Sequence, residues 1–160
     1  MNRNKFFAVA AFLVSSVALA SQHVSKTDTF ISFDTMDKAA QAAIMNIYEI
    51  SDKIEYAGFI VQKGDVFYYT LPFTNYSDDH VNPHVAVSIP KGSKIVGYYH
   101  NHPKINIRTT VRRGRDLGET FSDHDTTFAN MRGFVAYVGI VKNQTILRYN
   151  PETKITVEVN

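Results

Sequence analysis

In the stretch "DTMDKAAQAAIMNIYEIS", Met36, Ala39, Ala40, Ala43, Ile44 and Ile47 recur at three- and four-residue intervals. That period lines one side of a helix, and Asp34 or Thr35 can cap its start, so the pattern predicts an amphipathic helix over 35–50. From Ile54 the repeat shortens. "IEYAGFIVQKGDVFYYTLPF" holds two β-rich runs separated by "KGD", the pattern of a hairpin. "NYSDDHVNPH" is a turn-rich connection, and "VAVSIPKGSKIVGYYHNHP" carries one or two further strands. "SDHDTTFANMRG" predicts a short helix stopped by Gly133. "FVAYVGIVKNQTILRYNPETKITVEV" then reads as three strands joined by turns at "KNQ" and "NPETK". With no internal repeat, the pattern predicts a mixed α/β (α+β) domain over 34–160, a mostly antiparallel sheet flanked by helices.

Two segments stand outside this pattern. Residues 1–20 place Arg3 and Lys5 before an apolar run and end in "ALA", the layout of a secretory signal peptide cleaved after Ala20. The run is short for a transmembrane anchor. Export to the periplasm or the medium follows as an expectation, with no stable membrane anchor after cleavage. The polar stretch from 21 to 33 reads as an extended lead-in. The second segment is Lys104–Phe121, eighteen residues with two glycines and five basic side chains, which reads as a long loop.

Removing the leader alters the charge picture. The chain has 17 basic and 15 acidic residues, and without Arg3 and Lys5 the two counts are equal. Nothing global then favours a nucleic-acid partner. The absence of cysteine excludes a disulfide framework, a lipoprotein anchor, a thiolate ligand and a cysteine nucleophile. Any metal must be held by His, Asp or Glu.

The candidate chemistry begins at "HNHP". Residues i and i+2 of a strand face the same side, so His100 and His102 can converge while Asn101 faces away and Pro103 ends the ladder. Alone, the pair is equally consistent with two solvated histidines at a strand end. In "FSDHD", Ser122 and Asp125 have capping-box spacing, which also holds Asp125 rigidly enough to serve as an oxygen ligand. Two His and one carboxylate, with water in the fourth place, form a catalytic rather than a structural zinc set. Glu55 in "IEYAGFIV" would share a strand face with Ala57, Phe59 and Val61. An acid on an apolar face needs a partner or a function, unless it precedes the strand and is solvated.

In their order along the chain, Glu55, "HNHP" and "SDHD" resemble the motif of the JAMM (MPN+) zinc metallopeptidases, with a flavour close to secreted bacterial JAB-like, toxin-type domains. The resemblance covers roughly residues 34–149. It implies that His100, His102 and Asp125 bind Zn²⁺. Glu55 would act as the general base on the attacking water and return the proton to the leaving amine, and Ser122 would hydrogen-bond the oxyanion. The spacer between the histidines and Ser122 is more than twice as long as in compact members, so their substrate class is not carried over. A peptide or protein substrate fits, and the exported compartment points to cell-envelope peptides or a partner protein.

Other readings stay open. A binding or assembly module on the same fold would need no catalysis. A His/Asp metal nuclease has only the basic residues of the 104–115 stretch in its favour. His80 and His84 flank Pro83, which argues against a helix aligning them. His23 lies in the lead-in, His124 is expected to face solvent, and Tyr98 and Tyr99 are expected in the core and cleft wall. The sequence leaves the oligomeric state open.

Overall fold

The structure, a computed structural model, describes residues 31–51, 53–76, 89–104 and 119–159. The leader, most of the lead-in, His23, His80, His84, the "VAVS" run and residues 105–118 of the basic stretch lie outside the described residues.

Helix α1 (Met36–Tyr48) starts at Thr35, whose Oγ1 accepts from the Lys38 N–H at 3.2 Å. Of the two candidate caps, Thr35 is the one used, and the bond satisfies one of the first-turn donors that a helix leaves unpaired. Strands β1 (Ala57–Lys63) and β2 (Val66–Tyr69) form the hairpin around Gly64 and Asp65. Strand β3 (Lys94–His102) leads into the "HNHP" stretch. Helix α2 (Asp123–Arg132) ends at Gly133, whose φ of 65° is a left-handed cap that glycine adopts without strain. Strands β4 (Val135–Ile140), β5 (Thr145–Asn150) and β6 (Ile155–Glu158) follow with the two predicted turns.

The six strands lie in the order β2-β1-β3-β4-β5-β6. Every neighbouring pair is antiparallel except β3 and β4, which run parallel with α2 in the chain between them. This is the expected mixed α+β class with a mostly antiparallel sheet. Parallel neighbours need a long connection, and α2 occupies part of it.

Strand alternation gives the sheet two separate cores. On one face, Ile60, Tyr99, Tyr137 and Ile146 pack with Ala39, Ala40, Ala43, Ile44 and Ile47 of α1. The approach is close. A Cβ on Gly139 would collide with Ile44 and come within 2.9 Å of the Tyr48 ring. The helix is also tied to the sheet at Asp37, which accepts from the Tyr137 hydroxyl at 2.6 Å and from Arg148 Nη1 at 2.8 Å. On the other face, Phe59, Tyr98, Ala136, Val138, Ile140 and Tyr149 pack with Phe121 and Ala129. Among the described residues, no helix is long and apolar enough to cross a membrane.

Candidate metal centre

The C-terminal end of β3 alternates between the two faces. Tyr98 belongs to the α2-side core and Tyr99 to the α1-side core. The same alternation sends His100 and His102 toward α2 and Asn101 toward α1. All three are buried, with Asn101 fully so.

Asp125 reaches the histidines from the first turn of α2. The predicted capping box is present in both directions. The Asp125 N–H donates to Ser122 Oγ at 3.2 Å, and the Ser122 N–H donates to Asp125 Oδ2 at 2.8 Å. The Ser122 hydroxyl also donates to Asp125 Oδ2, at 2.7 Å. The carboxylate is thereby locked at a helix start, where the aligned peptide dipoles favour negative charge.

His100 Nε2 and His102 Nε2 lie 3.3 Å apart. His100 Nε2 lies 3.3 Å from Asp125 Oδ1, and His102 Nε2 lies 3.5 Å from Asp125 Oδ2. The three residues form a group able to hold a metal ion. The spacing is compatible with that: metal–ligand bonds of about 2.0–2.1 Å in a tetrahedral set place ligand atoms about 3.3–3.4 Å apart. Imidazole nitrogens and a carboxylate oxygen are a donor set for a divalent metal ion.

Burial by itself raises the Asp125 carboxyl. The charges and hydrogen bonds of His100 and then His102 outweigh burial and hold it well below the usual carboxylate range. Asp125 is therefore anionic and a competent oxygen ligand at neutral pH. The Nδ1 atoms of both histidines are buried with no hydrogen-bond partner among the described residues. Coordination through Nε2 puts the ring proton on Nδ1, the atom that ligating histidines ordinarily offer to an acceptor.

Tyr98 braces the group from below. Its hydroxyl donates to the Asp125 carbonyl at 2.8 Å, and its ring stacks on His100 with centroids 5.6 Å apart. Burial first, and the Asp125 charge second, push the Tyr98 hydroxyl far above its ordinary range, so it remains a donor. The expectation of a core and cleft-wall tyrosine captures its burial but not this bond, which joins residues 27 positions apart.

Glu55 stands two residues before the start of β1, yet it is only 5% exposed. The strand expected to carry it begins at Ala57, and the solvated alternative is also excluded by burial. β1 pairs Ala57 with His100, and continuing that register sets Glu55 opposite His102. Glu55 is not among the three residues whose ligand atoms converge. His124 is exposed on α2, as expected.

Asn101 is the residue that sequence reasoning passed over. The strand period of "HNHP" marks it only as the spacer facing away from the histidines. A polar residue alternating onto an apolar face was the available signal, of the same kind that singled out Glu55. No family model and no curated protein matches the chain.

Proposed function

We propose that the chain is an exported zinc hydrolase that cleaves amide bonds in a peptide or protein, a reading that follows the JAMM-type motif order. The observation that carries it is the convergence of His100, His102 and Asp125 at the spacing of a tetrahedral ligand set. Zinc bound there would supply Lewis-acid polarisation of the scissile carbonyl and lower the pKa of water. Asp125 and the two histidines would hold the ion, three protein ligands being the set of a catalytic rather than a structural zinc. Glu55 takes a proton from the attacking water and returns it to the leaving amine. Ser122 orients Asp125 through its hydroxyl proton. To stabilise an oxyanion, Ser122 would turn that same proton toward substrate, leaving its backbone N–H to hold the carboxylate.

The test is metal content and cleavage in the chain from Ser21 onward. Wild type should hold near one zinc, and the His100→Ala/His102→Ala double variant none. Glu55→Gln should keep the zinc and lose about 10²–10⁴-fold in cleavage of envelope stem peptides or a peptide library, read by mass spectrometry. A folded wild-type chain that stays zinc-free after supplementation sinks the reading. A zinc-bound Glu55→Gln variant with full biological effect leaves a binding module instead.

A further inference from the structure

Asn101 sits between the two histidines and points the opposite way, fully buried. Its amide is engaged at both ends, always with the same short segment. Oδ1 accepts from the Tyr56 N–H at 2.7 Å. Nδ2 donates to Ser51 Oγ at 2.8 Å and to the Ile54 carbonyl at 3.2 Å. Its main-chain N–H donates to the Tyr56 carbonyl at 3.2 Å. The residues on either side of Glu55 are therefore both gripped by Asn101. Two hydroxyls complete the clasp. Ser51 Oγ donates to the Ile54 carbonyl at 2.6 Å, and Thr74 Oγ1 donates to the Glu55 carbonyl at 2.7 Å.

Residues 53–56 belong to neither helix nor strand, so the ladder that fixes Ala57 against His100 does not reach Glu55. The Asn101 amide takes over there. An acceptor and two donors in one plane match the Tyr56 N–H and the Ile54 carbonyl of this irregular segment, and no apolar residue can replace them. A buried clasp of this kind is costly to leave half made. Because its Cα lies between those of His100 and His102, Asn101 ties the Glu55 backbone to the strand that carries two of the metal ligands.

We infer that Asn101 is a positioning residue that fixes Glu55 relative to the metal group, through the strand it shares with His100 and His102. The inference rests on the general-base role proposed for Glu55. Its consequence is a division of labour within one tripeptide. The two histidines hold the ion on one face of the sheet. From the other face, the asparagine sets the base that works beside it.

The experiment uses the chain from Ser21 onward loaded with Co²⁺ as a visible probe, in wild type, Glu55→Gln, Asn101→Ala and Ser51→Ala. Cobalt per chain, the cobalt absorption band and amide hydrogen exchange at Tyr56 are measured. Asn101→Ala should bind one cobalt as wild type does, since no ligand is changed, while its band moves to that of Glu55→Gln. The Tyr56 amide should exchange at least about tenfold faster. Ser51→Ala should shift the band part of the way, and it carries the test alone if Asn101→Ala does not fold.

Variants at Asn101 and Ser51 that keep the wild-type band, where Glu55→Gln changes it, overturn the inference. A folded Asn101→Ala that loses cobalt overturns it too, because Asn101 would then organise the histidines instead. Failure of the hydrolase reading looks different. There, wild type binds no cobalt, or Glu55→Gln leaves the band unchanged, and the positioning role falls with it.

Discussion

The two faces of the sheet are built on different terms. Helix α1 buries five residues against its face, all alanine or isoleucine, at 1% exposure or less. Helix α2 buries only Ala129. Its order comes from its ends: a reciprocal capping box at Ser122 and Asp125, and a left-handed glycine at 133. It also carries Arg132 over the Phe128 ring at 5.8 Å. Helix α1 adds apolar burial to its face, whereas α2, over a core built mostly by the strands, spends its first turn holding a carboxylate against two buried histidines. A helix whose start is fixed by hydrogen bonds presents a ligand at a defined place, whereas a purely greasy contact would tolerate sliding. Strand β3 thus carries apolar packing on both faces, while the convergent His100 and His102 lie on the α2 side alone.

The largest test of that division is alkaline titration. Burial foremost pushes Tyr48, Tyr99 and Tyr137 on the α1 face, and Tyr98 on the other, well above the ordinary tyrosine range. Between the unfolded and folded pKa values the native chain binds more protons than the unfolded one, so stability falls as pH rises. It is fully present below about 10, the unfolded value, and is lost above it. The tyrosinate absorbance of these four side chains should therefore appear cooperatively, together with loss of circular dichroism. Ionisation of Tyr48, Tyr99 and Tyr137 while circular dichroism stays native, read against their phenylalanine variants, would mean that the α1 face is not sealed.

Next in size is Ile44→Ala, which empties a fully buried position beneath α1. It should cost about 2–5 kcal/mol in urea unfolding. Metal stoichiometry in the surviving folded fraction should stay unchanged. Loss of metal from a folded Ile44→Ala chain would show that the two faces are not separable.

Smallest is Ser122→Ala, which acts on the other face. Loss of the cap should cost about 1 kcal/mol in unfolding. Loss of the hydroxyl bond to Asp125 should weaken zinc binding about 10–100-fold in competition with a chelator. A change in stability without a change in affinity would make Ser122 a cap and nothing more.

Much of the frame was legible along the chain because its causes are local. Helical spacing from Met36 to Ile47 marks α1, the "KGD" turn marks the first hairpin, and Gly133 marks the end of α2. The candidate ligands were legible for a similar reason: His100 and His102 share a face through strand period alone, and Ser122 and Asp125 meet within one helical turn. Glu55 was harder. Sequence pattern identified an acid among apolar residues, but the start of β1 at Ala57 depends on pairing with β3 and the bridge to Phe73.

What the sequence by itself determined is therefore the set of elements and the residue types able to hold a metal. Periodicity, caps and turn residues act over a few positions, and so they are written where they act. The tertiary structure decided which face each core belongs to, that β3 and β4 run parallel, and that Asp125 stands 3.3 Å from His100. It alone disclosed the clasp of Asn101 on Ser51, Ile54 and Tyr56, whose bonds span 45 to 50 positions. Such contacts follow from strand register and chain reversal, which bring distant polar groups together only once the sheet has formed.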